Sequence, residues 1–111
     1  MTEVTTIGII GKSLSDINVS ATADTNISGF EFTTTLENSW ITIEVTPTLA
    51  GVFSVMRTVG TTTVKKKMNS GVALEAGGTY LWSIGAKRGE TYNFQYSETD
   101  TLLDLYVREV A

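Results

Sequence analysis

Residues 71–110 read GVALEAGGTYLWSIGAKRGETYNFQYSETDTLLDLYVREV, and this stretch decides the fold class. From Thr79 onward Tyr80, Trp82, Ile84 and Ala86 alternate with Leu81, Ser83, Gly85 and Lys87, the period of two of a half-buried strand. Tyr92, Phe94 and Tyr96 then alternate with Asn93, Gln95 and Ser97. Between them Lys87-Arg88-Gly89 reads as a hairpin loop, because a type I turn followed by a left-handed residue takes glycine without a Cβ clash. A polar turn at residues 97–100 leads into residues 102–109, where Leu103, Leu105 and Val107 share a face. The C-terminal third is therefore three antiparallel strands. Tyr80, Trp82, Tyr92, Phe94 and Tyr96 are expected to form the aromatic layer of the core, each burying roughly 150 to 250 Å² if covered.

The same alternation extends back through the chain. Residues 3–10 are β-prone but cut by Gly8 and Gly11, which suits an edge strand or an arm. Ile17, Val19 and Ala21 alternate with Asn18, Ser20 and Thr22, a polar turn follows at residues 23–26, and residues 29–35 place Phe30 and Phe32 on one face. After a break at residues 36–39, Ile41, Ile43 and Val45 point inward and Trp40, Thr42, Glu44 and Thr46 outward, until Pro47 removes an amide proton from the ladder. Residues 52–59 are apolar on both faces, as in a central strand covered on two sides, and Gly60-Thr61 turns them into residues 62–68. Asn69-Ser70-Gly71 is the next turn. About eight strands with turns roughly every 8 to 12 residues predict an all-β protein, a single antiparallel β-sandwich of jelly-roll form. The expected division is residues 1–15 as an N-terminal arm or edge strand and residues 16–111 as the sandwich.

Composition narrows the function classes. The chain of 111 residues is long enough for one core, and 8 basic against 12 acidic side chains give a net charge of -4, which offers no broad cationic surface to a phosphate backbone. Nucleic acid is not an expected partner. Cysteine and histidine are both absent, which removes disulfides, thiolate zinc sites, the commonest general base and every Ser-His or Cys-His nucleophile pair. The apolar patch at residues 7–10 lacks the basic leader and length of an export signal, and no run of about 18 apolar residues marks a membrane helix. No membrane partner is expected.

Four features invite a functional reading. Lys65-Lys66-Lys67 could meet an acidic surface, although lysines within a strand more often protect an exposed edge. Asp16, Asp24, Glu98 and Asp100 lie in turns and carry the oxygens calcium prefers, without the spaced acidic loop of an EF-hand. Trp40 faces outward, where it caps the sandwich, stacks on a sugar or anchors a protein interface. Lys87-Arg88 is a solvated hairpin tip. Serine, threonine and lysine are plentiful, but no spacing matches a nucleophile elbow or phosphate loop, so no catalytic residue, cofactor or metal ligand is assigned.

The segments SATADTNISGFEFT and WITIEVTPTLAGVFSV, followed by an Asn-Ser-Gly turn, an Ala-Gly-Gly turn before an aromatic strand and Gly-Glu-Thr ahead of Asn-Phe, resemble the small β-sandwich proteins of virions. These are head decoration (cement) and minor capsid proteins of tailed phages and related viruses, and the resemblance spans residues 20–110. It implies a structural role on a capsid surface without catalysis, in a homo-oligomer such as a trimer. The partners would be further copies of the chain and a major capsid protein, with synthesis in the host cytoplasm. Val4, Ile7, Ile9 and Ile10 are the anchors expected of an arm that adds itself to a neighbour's sheet edge, and Trp40 is a further interface candidate. The alternatives are a subunit of an extracellular filament built by strand exchange and a carbohydrate-binding module using Trp40.

Overall fold

A computed structural model describes residues 10–111 as eight strands: β1 (Ile10–Ala21), β2 (Phe32–Thr33), β3 (Asn38–Pro47), β4 (Phe53–Val59), β5 (Thr62–Lys67), β6 (Tyr80–Lys87), β7 (Thr91–Tyr96) and β8 (Thr101–Val110). One short 3-10 turn, Asn69–Gly71, is the only helical element among the described residues. The pairing starts from the middle of the chain. β4 and β5 form a two-residue hairpin in which Val59 faces Thr62 and Gly60 takes a φ of 62°, the left-handed position such turns reserve for glycine. Outward from it β3 pairs with β6, β2 with β7 and β1 with β8, all antiparallel. Successive pairs fall in alternate sheets, giving orders β1-β8-β3-β6 and β2-β7-β4-β5. One long hairpin has thus been rolled into two four-stranded antiparallel layers, which is the jelly-roll arrangement.

The alternation read from the sequence sets what lies between the layers. Ile41, Ile43, Val45, Leu103, Leu105 and Val107 from one sheet meet Phe53, Val55, Tyr92, Phe94 and Tyr96 from the other, all buried. Through this core runs a continuous series of stacked rings: Tyr92 on Phe32 (5.7 Å), Phe32 on Phe94 (6.4 Å), Phe94 on Phe53 (6.0 Å), Phe53 on Trp82 (5.7 Å) and Trp82 on Tyr80 (6.0 Å). Offset aromatic pairs at such spacings add about 0.5 to 1.5 kcal/mol each beyond their buried area.

Four details differ from the sequence reading. Tyr80 and Trp82 face the core but are only half-buried, because β6 is the last strand of its sheet. β4 is central in its sheet, yet only Phe53, Ser54 and Val55 are buried in succession; from Met56 its side chains emerge toward an open side. β2 is two residues long, and the preceding segment follows β7 through single bonds such as Ile27 N–H to Phe94 O (2.8 Å). Finally, β1 runs across residue 15 without a break, so residues 10–15 and the start of the sandwich are one strand, the edge strand that is one of the two forms expected for residues 1–15. Its register shifts between Ile10 and Ser13 and again between Asp16 and Val19, and these bulges interrupt the alternation that would have revealed its full length.

Candidate functional site

Three regions stand out: an outer face, a lateral cleft and two buried carboxylates. On the outer face of the first sheet, Val110 of β8 lies opposite both Ile10 of β1 and Trp40 of β3, and Trp40 lies opposite Gly85 of β6. The point where the chain enters β1 and the outward Trp40 therefore share one row at one end of the sandwich. Trp40 is 56% exposed, as the outward assignment of the sequence requires. Its ring edge lies close over Gly85, and Thr42, Ser83, Arg108 and Val110 surround it. Arg108 stacks over the Tyr106 ring at 5.5 Å, and its Nε meets no acceptor among the described residues. Val4, Ile7 and Ile9 lie outside the described residues, as does the side chain of Ile10.

The lateral cleft opens where β5 and β6, the last strands of the two sheets, face each other. Both leave one backbone edge unpaired among the described residues. Val55, Arg57, Val59, Thr62, Val64, Lys66, Ile84 and Tyr92 line a hollow of about 240 Å³. Every residue of β5 is exposed, and Val59 and Val64 remain 52% and 59% accessible although they point into the hollow. Lys65 reaches Asp24 at 3.5 Å, whereas Lys66 and Lys67 form no ion pair among the described residues.

The end of the sandwich that carries Trp40 also holds two buried carboxylates, tied to adjacent residues of one connection: Thr34 bonds the Glu90 backbone and Thr35 the Glu109 side chain. Glu109 continues the inward series Leu103, Leu105, Val107 of β8 and is 0% exposed. Its oxygens accept bonds from the Thr35 N–H (3.1 Å), the Leu36 N–H (3.0 Å) and the hydroxyls of Thr35 and Ser39 (each 3.2 Å). Burial pushes its pKa up, but these bonds together with the Lys12 amide outweigh that and hold it below the usual carboxylate value. Glu90 is buried beside Arg57, with which it forms an ion pair, and accepts bonds from the Tyr92 hydroxyl (3.0 Å) and the Lys87 N–H (3.1 Å). There too desolvation raises the pKa and Arg57, Lys87 and Tyr92 more than offset it. Both carboxylates are occupied by donors from their own chain, so they act as structural fasteners. Sequence reasoning overlooked them, although the signal was there: an acid in phase with an inward alternation must be bonded inside.

The four acids expected in turns are dispersed, and Asp16 lies in β1 at a bulge rather than in a turn. Asp16 accepts from its own Asn18 N–H (3.0 Å), Asp24 faces Lys65, and among the described residues no three acidic side chains converge. Fold and surface together define a jelly-roll sandwich whose unsatisfied features lie on its edges and outer face. No protein-family model matches the chain, and a comparison with curated proteins finds no match.

Proposed function

We propose that this chain is a structural virion protein, a decoration (cement) or minor capsid protein that coats a viral shell as a homo-oligomer and performs no chemistry. The observation that carries the reading is the row Ile10, Val110, Trp40. It gathers an exposed tryptophan, an arginine stacked on Tyr106 and the entry of the N-terminal segment at one end of a rigid sandwich. Tryptophan and arginine are the side chains that most often dominate protein interfaces. Jelly rolls recur in viral capsids, an analogy of fold that adds weight without fixing the role. In this reading the Trp40 end meets the shell, while the N-terminal segment joins neighbouring copies, so many weak contacts add through avidity.

One observation favours a second reading, a carbohydrate-binding module: Trp40 lies among Thr42, Ser83 and Arg108 on an open sheet face, where a sugar ring could stack. Mixing the purified chain with shells of the major capsid protein encoded beside it, then sedimenting them, separates the two. Co-sedimentation of the full chain, weakened at least tenfold by Trp40→Ala, is the expected result. A chain that binds no shell, or has no capsid gene among its neighbours, overturns the proposal.

A further inference from the structure

The cleft between β5 and β6 has no partner among the described residues, although it joins exposed valines to free backbone edges. Such a combination is a template for an added strand, which would satisfy the backbone and cover the apolar side chains together. We propose that it receives residues 2–9 of a second copy of this chain, a contact that deepens the homo-oligomeric part of the reading above and rests on it.

The chemistry of that segment fits the cleft. Thr2, Val4, Thr5, Thr6, Ile7 and Ile9 are all β-branched, and no proline interrupts them. Ile7 and Ile9 are two apart and so share a face in an extended strand, as do Thr62 and Val64 of β5 on the cleft side. Glu3 is its one ionised side chain, whereas β5 presents Lys65, Lys66 and Lys67. A lysine-bearing edge repels basic strands and gives neutral ones little reward, so an acidic incoming strand is the one it selects.

The position of β1 argues for a second copy over the same chain. β1 lies at the opposite edge of its sheet from β6, with β8 and β3 between them. The chain's own segment would have to cross the end of the sandwich before lying along the cleft; a neighbour's segment meets no such barrier. Because donor and acceptor are different surfaces, the contact is head-to-tail and generates a closed ring or an open filament.

The native chain has no cysteine, so Ile7→Cys combined with Val64→Cys in the full chain confines disulfides to these two positions, and peptide mapping of the cross-linked species must find position 7 joined to position 64 rather than like joined to like. Mild oxidation followed by denaturing electrophoresis without reductant should give a ladder of covalent multimers, lost on adding Glu3→Lys and regained when Lys66→Glu accompanies it. A disulfide closed within one chain, or no cross-link while circular dichroism shows the variant folded, overturns the proposal. If Ile7→Cys with Val64→Cys fails to fold, Val64→Asp alone should dissociate the multimer in sedimentation velocity, and a multimer that persists overturns it. The readout needs no shell, so its failure is distinguishable from failure of the virion reading, which shell binding tests separately.

Discussion

The carboxylate of Glu109 lies against Gly11, in the space that any side chain at position 11 would need. Glycine is required there for close approach. This contact joins the two terminal strands, because Glu109 also binds the Lys12 amide and the β2–β3 connection at Thr35 and Leu36. Gly11→Ala should displace the carboxylate from its donors and destabilise the fold by about 1 to 3 kcal/mol, the cost of an overpacked site with a buried polar group left unmatched. Urea denaturation measures it, and an unchanged midpoint would contradict the fastening role.

Acid should loosen the same fastener. Glu109 and Glu90 both have folded pKa values below the ordinary carboxylate value, which is about 4.3 in an unfolded chain. Their contribution to stability is therefore complete above that pH and is lost as pH falls through the folded values. The melting temperature should fall below about pH 4.3. Glu109→Gln should be less stable at pH 7 yet lose less on acidification, and equal acid slopes in the two proteins would refute the assignment.

At the alkaline end the sign reverses. Burial, with Glu98 and Tyr80 nearby, pushes the Tyr96 hydroxyl up to about 12, and that hydroxyl donates to Leu49 O at 2.6 Å. Its contribution is present below the unfolded value of about 10 and is lost as pH rises toward the folded one. Tyr96→Phe should cost about 0.5 to 1.5 kcal/mol at neutral pH. Tyrosinate absorbance should also lose a step near pH 12. A full set of late-titrating steps in the variant would show that the group is misassigned.

The stacked rings rank the aromatic residues. Phe94→Ala, at the buried centre, should cost about 3 to 5 kcal/mol. Trp82→Ala, stacked but half-exposed at an edge, should cost about half as much, and Trp40→Ala about 1 kcal/mol or less. Equilibrium denaturation of the three variants that placed Trp40→Ala above Trp82→Ala would invert the face assignment of β3.

Much of this architecture was legible because a period of two survives wherever a strand has one dry face. Leu103, Leu105 and Val107, like Ile41, Ile43 and Val45, announced their strands and their faces. β1 did so only in part: Val19 and Ala21 are buried as their alternation implies, but its two bulges shift the pattern so that Ile17 is exposed, and its glycine answers to a carboxylate distant in sequence. Edge position was equally hidden: Trp82 alternates just as Phe94 does, and only the pairing order shows that one has a neighbour on both sides and the other does not. The cleft lies between β5 and β6, which face each other across the layers without pairing, so no local pattern could mark it.

Electron cryomicroscopy of viral particles from the source of this chain is the most direct test of the proposed place on a shell. The account predicts eight-stranded sandwiches at symmetry-related positions on the outer surface, with the Trp40 end against the capsid and residues 2–9 of each copy along the β5–β6 cleft of the next. A mature shell with no such density, from a preparation in which mass spectrometry finds the chain absent, would contradict it.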